Sequence, residues 1–130
     1  MMRQNRNIFS AVAVATVILC GPVSAADPVV PVMEIADGDF DTCAFGKVSG
    51  LNPRGDNFLA VRAGPGTSYR MLDKIRTDDK VWLLSNKGDW IGIVYGVDEV
   101  NCSPVKADRP YEGPGKTGWV HRKFITLLAG

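Results

Sequence analysis

From position 43 onward, apolar residues come in short runs broken by clusters of Gly, Pro, Asn and Asp, and no apolar stripe at helical spacing persists. These runs predict strands near 43–49, 58–62, 71–76, 80–85, 90–95, 117–121 and 124–128. Val81 and Leu83, like Ile91 and Ile93, sit two apart, which turns one face of each strand toward a core. Turns are predicted at Asn52-Pro53-Arg54-Gly55-Asp56-Asn57, at Gly64-Pro65-Gly66 and at Asn86-Lys87-Gly88-Asp89. In Gly64-Pro65-Gly66 the proline fixes φ and the glycines admit positive φ, so the chain can leave a strand and reverse. Short strands at this spacing predict an all-β domain, a small barrel, over residues 43–130. No internal repeat interrupts it.

The flanks read differently. Arg3 and Arg6 precede an uncharged, mostly apolar run from Ile8 to Leu19, then Pro22 and the small residues Ser24-Ala25-Ala26. That order is the pattern of a secretory signal peptide over 1–26, with cleavage near Ala25/Ala26. The run is shorter than the ~20 residues a permanent membrane helix requires, so no stable membrane insertion is expected after cleavage. Leu19 is bulky where lipidation of Cys20 would require a small neighbour. Residues 27–42 carry prolines and scattered acids and read as an extended, mobile lead-in. The acids of Asp37-Gly-Asp-Phe-Asp41 suggest a calcium loop. An EF-hand needs Gly at its sixth position and Glu at its twelfth, and counted from Asp37 those places hold Thr42 and Val48. The stretch 97–116, rich in proline, glycine and mixed charge, reads as a long loop.

Charge and cysteine content narrow the function classes. Without the leader, 13 Lys and Arg stand against 14 Asp and Glu, and no basic excess remains to attract a phosphate backbone, which excludes nucleic acid as the expected partner. Cys43 and Cys102 are the pair left in an exported chain, where an oxidising compartment favours a disulfide. The alternatives are a metal pair or a catalytic thiol, and neither cysteine has a second Cys or His at ligand spacing. A bridge would close a loop of about 60 residues, for which chain entropy gives roughly 4 kcal/mol.

The run Phe58-Leu-Ala-Val-Arg62-Ala-Gly64-Pro65-Gly66-Thr-Ser-Tyr69 resembles the opening signature of bacterial Src-homology-3 (SH3-like, SH3b) domains. Lys80-Val-Trp82-Leu-Leu84, Gly88-Asp89-Trp90, Gly118-Trp119-Val120-His121 and Phe124-Ile125 follow in the family's order, so that the likeness covers roughly 57–128. It implies an SH3-like barrel that departs from the family in two places. An N-terminal extra segment, 43–57, precedes the first family strand, and a long loop replaces a short hairpin; Cys43 lies in one addition and Cys102 in the other.

The catalytic inventory is thin. His121 is the one histidine, and it reads as an exposed or capping residue rather than the partner of an activated thiol. No enzyme activity, catalytic residue, metal or cofactor is expected. Binding has better material: Tyr69, Trp90, Tyr95, Tyr111 and Trp119 are amphipathic rings of the kind that line recognition grooves, although Trp82, Trp90 and Trp119 could instead fill the barrel ends. The resemblance implies a periplasmic or secreted module that recognises cell-wall (peptidoglycan) peptide or glycan, in the groove between the loop after Gly66 and the turn before Trp90. The alternative is an envelope protein–protein interaction or assembly element using the 97–116 loop. Arg54-Gly55-Asp56 spells an adhesion tripeptide but reads as turn chemistry.

Overall fold

The computed structural model of the chain describes residues 11–16 and 27–130, so most of the expected leader lies outside the described residues. The described part is all-β, with no α-helix and no helix long and apolar enough to cross a membrane.

The sheet grows from its best hairpin. Strands β5 (Lys80–Lys87) and β6 (Trp90–Tyr95) are joined at Gly88, whose φ of 59° needs no side-chain accommodation in glycine. Val81 faces Tyr95 and Leu83 faces Ile93 across this pair, while Trp82 faces Val94 on the opposite side of the sheet. On the other flank of β6 lies β8 (Lys116–His121), paired from Trp90↔His121 to Tyr95↔Lys116. A second hairpin, β3 (Leu59–Arg62) with β4 (Met71–Ile75), joins β8 through Arg62↔Trp119. Past β5 come β2 (Ala44–Val48) and then β9 (Ile125–Ala129), reached from β8 by a 3-10 turn at Arg122–Phe124. The order is β4-β3-β8-β6-β5-β2-β9, with β4 and β9 as open edges, so the ladder itself does not close. One side of the sheet holds the main core: Val48, Leu59, Val61, Ile75, Val81, Ile91, Ile93, Tyr95 and Val120. Burying each such aliphatic side chain contributes about 1.5–3 kcal/mol.

The predicted strands sit within a residue or two of the observed ones, and the extra segment 43–57 contributes β2, which lies between β5 and β9 with ladders on both sides. Two expectations about the flanking pieces need correction. The segment 27–42 is not a mobile lead-in. It is extended, yet fastened along its length: Val30 N–H donates to Ala63 O (3.0 Å), Met33 N–H to Ser85 Oγ (3.3 Å), and Tyr111 N–H to Val32 O (2.9 Å). Its Val32 is 2 % exposed. The long loop, finally, contains a short strand, β7 (Arg109–Pro110), which pairs with β1 (Met33–Glu34) in a separate two-stranded sheet.

Together the 27–42 segment, a strap across the sheet, and the long loop form a second layer over the face away from the main core. All of β6 after Trp90 is therefore buried, Ile91, Ile93 and Tyr95 on the main core side, Gly92 and Val94 on the other. A Cβ on Gly92 would come within 2.9 Å of both Val32 Cγ1 and Ser85 Oγ, so only glycine lets the strap approach this closely. The Cys43–Cys102 disulfide buckles the layer to the sheet, with a Cα separation of 5.1 Å across 59 residues of sequence. Thr42 N–H donates to Cys102 O beside it at 2.8 Å. Farther along, Ala36 N–H donates to Asp108 Oδ1 (2.7 Å), and Arg109 Nε meets the nearly buried Glu34 carboxylate at 2.6 Å.

Candidate functional site

The five aromatic residues singled out in the sequence do not form one surface. Trp119 is 0 % exposed; its indole N–H donates to Val30 O at 2.8 Å, so it anchors the strap and is not a groove residue. Tyr95 also belongs to the core. Its hydroxyl donates to Asp73 Oδ2 at 3.0 Å, and Lys116 Nζ lies 3.5 Å from the same oxygen. Burial, followed by the Asp73 hydrogen bond and charge, pushes the Tyr95 phenol well above its ordinary range. For Asp73 the largest effect, partial burial, raises its pKa. The Lys74 N–H, the Tyr95 hydroxyl and the Lys116 ammonium together outweigh it and hold the carboxyl below its ordinary value.

Tyr69 and Tyr111 are half-buried and serve their own loops. The Tyr69 ring lies against Gly64, where a Cβ would come within 2.5 Å of it, and its carbonyl accepts from Arg62 Nη1 at 3.0 Å. Tyr111 donates its hydroxyl to Pro114 O at 2.7 Å and its N–H to Val32. Burial first, and then the Glu34 carboxylate, raises its phenol pKa.

Tyr95 and Tyr111 each border a hollow of their own, of about 500 and 360 Å³, whereas Trp90 stands on an open groove of about 450 Å³ together with other aromatic rings. The β3–β4 hairpin supplies Thr67 and Met71, the entry to β3 supplies Phe58, and the 3-10 turn supplies Lys123 and Phe124. Its walls thus run from the loop after Gly66 to the strand that starts at Trp90. His121 joins the two sides: its ring packs edge-on against Trp90 at 5.5 Å and against Phe124 at 6.3 Å. Its Nδ1 accepts the Lys123 N–H at 3.2 Å, capping the 3-10 turn. Lysines cover two of the aromatic faces, Lys74 over Phe58 at 4.4 Å and Lys123 over Phe124 at 4.9 Å.

Phe58, Met71 and Phe124 are site residues that the sequence pattern assigned to strands rather than to a surface. The signal was present in their positions: Phe58 precedes the Arg62-Ala-Gly64-Pro65-Gly66 element, and Phe124 follows His121 by one turn. Met71 is 41 % exposed although it opens a strand.

A roomier hollow of about 560 Å³ lies beside the disulfide, lined by Phe40, Leu83, Leu84 and Ile91. Thr42 borders it, and its buried hydroxyl finds no hydrogen-bond partner among the described residues. We give the Trp90 groove precedence because aromatic faces and side-chain donors converge there, whereas the charged side chains of the hollow are the carboxylates Asp39 and Asp41. The Asp37–Asp41 run forms a turn closed by Phe40 N–H to Asp37 O at 3.1 Å. No group of three or more potential metal ligands occurs among the described residues. Arg54-Gly55-Asp56 lies in a turn held by Asn52, whose Oδ1 accepts from Arg54 N–H at 3.0 Å.

No protein-family model, curated protein or solved structure matches this chain. The site is therefore read from its own chemistry.

Proposed function

We propose that the chain is an exported, non-enzymatic binding module of the bacterial Src-homology-3 kind, acting in the periplasm or outside the cell, and that the Trp90 groove recognises cell-wall peptide or glycan. The observation that carries the reading is the groove itself, an open trough walled by Phe58, Trp90 and Phe124. The family resemblance supports it, because Arg62 and Trp119, 57 positions apart in its two motifs, are direct cross-strand partners. Export is supported by the leader pattern together with a disulfide, which oxidising compartments maintain.

An envelope assembly role through the 97–116 loop has less support. Tyr111, its main aromatic, is engaged with Val32 and Pro114, and Arg109 with Glu34.

The test is co-sedimentation of the oxidised protein with purified peptidoglycan. Wild type should be retained, and Trp90→Ala should lose most of that retention while keeping its β-sheet circular dichroism. Retention no better than that of an inert protein of similar charge would refute the reading.

A further inference from the structure

The polar groups of the groove are predominantly donors without acceptors. Because His121 Nδ1 accepts the Lys123 N–H, the neutral ring carries its proton on Nε2. That Nε2–H meets no acceptor among the described residues. Arg62 gives one N–H to the Tyr69 carbonyl, and the rest of its fork is without a partner there. The Lys123 ammonium lies over the Phe124 ring and pairs with no described carboxylate. Against these three donors the groove wall sets one acid, Asp56. Phe58, Met71 and Trp90 supply apolar surface beside them.

We propose that the groove binds a carboxylate of an extended peptide, the anion facing Arg62, His121 and Lys123 and a neighbouring apolar side chain lying against Trp90, Phe58 and Met71. This inference rests on reading the groove as the binding site. A carboxylate supplies two oxygens with about four lone-pair positions, which suit a planar guanidinium fork and a ring N–H together. An uncharged sugar leaves the positive rim uncompensated. A chain end and a Glu side chain both carry this chemistry.

Three probes separate the possibilities in nuclear magnetic resonance titrations of the oxidised chain: acetyl-Gly-Ala-Leu as free acid, the same peptide as amide, and acetyl-Gly-Leu-Glu amide. The acid is expected to shift the Trp90 and His121 resonances with an affinity about ten-fold or more above that of the amide. If the Glu peptide binds like the acid, any carboxylate suffices; if it binds like the amide, the chain end is read. Lys123→Gln and His121→Asn should each shrink the acid-to-amide ratio, and Asn retains an acceptor for the Lys123 N–H. Equal binding of acid and amide, or binding of neither, overturns the inference. Should the same preparation still be retained on peptidoglycan through Trp90, the carboxylate assignment alone has failed. Loss of both would take the groove reading with it.

Discussion

Trp119 is fully buried with its indole N–H held by Val30 O, whereas Trp90 is half-buried on the groove wall. Truncating them should therefore separate stability from binding. Trp119→Phe removes a buried hydrogen bond and part of a large ring, and should lower the unfolding free energy by about 2–4 kcal/mol in urea titrations. Trp90→Ala should cost clearly less and act on ligand retention instead. At Tyr95 the consequences are pH-dependent. Its phenol pKa is raised in the folded state, so this contribution is complete below about pH 10, the unfolded value, and is lost as pH rises beyond it. The Asp73 pKa is lowered, so its contribution is present above about pH 4 and is lost as pH falls through the folded value. Tyr95→Phe should cost about 1 kcal/mol at neutral pH. Melting temperature should fall less steeply for the variant than for wild type above about pH 10 and below about pH 4. Parallel pH profiles for the two proteins would contradict the assigned hydrogen bond.

Strand β6 shows how an element becomes buried on both faces. Its inward residues pack in the main core, and Gly92 receives Val32 of the strap on the other side. Gly92→Ala should lift the strap, destabilising the protein by about 1–3 kcal/mol. Hydrogen exchange should show faster amides at Val30, Met33 and Tyr111, with β3 and β8 little changed. Uniform acceleration across the sheet would instead indicate that strap and sheet unfold together. The strand pattern was legible in the sequence because period-2 alternation and Gly-Pro turns are local signals, and the elements at 59–62, 80–87 and 90–95 follow them closely. The strap was not legible. Val30 and Val32 flank Pro31 in a segment too short to show a period, and what orders them is long-range: the Trp119 indole, Ser85 and Tyr111. The groove was legible in part. The resemblance implied a groove between the loop after Gly66 and the turn before Trp90, and a hollow lined by Thr67 and Trp90 lies there. Phe58 and Phe124 lie beside the two motifs, which marked their neighbourhood, but alternation with core residues did not set which way they would face.

At the scale of the whole molecule, the Cys43–Cys102 bridge holds the second layer to the sheet. Reduction should lower stability by roughly 4 kcal/mol, read as a drop in the denaturation midpoint with and without a thiol reductant. Trp90 lines the groove, whereas the disulfide borders a different hollow, so binding should outlast reduction as long as the sheet stays folded. The most direct test of the central claim is a map of amide shifts in the isotopically labelled, oxidised protein on titration with solubilised peptidoglycan fragments. The account predicts shifts concentrated at Phe58, Thr67, Trp90, His121 and Lys123. Shifts centred on residues 97–116, or none at saturating fragment, would contradict it.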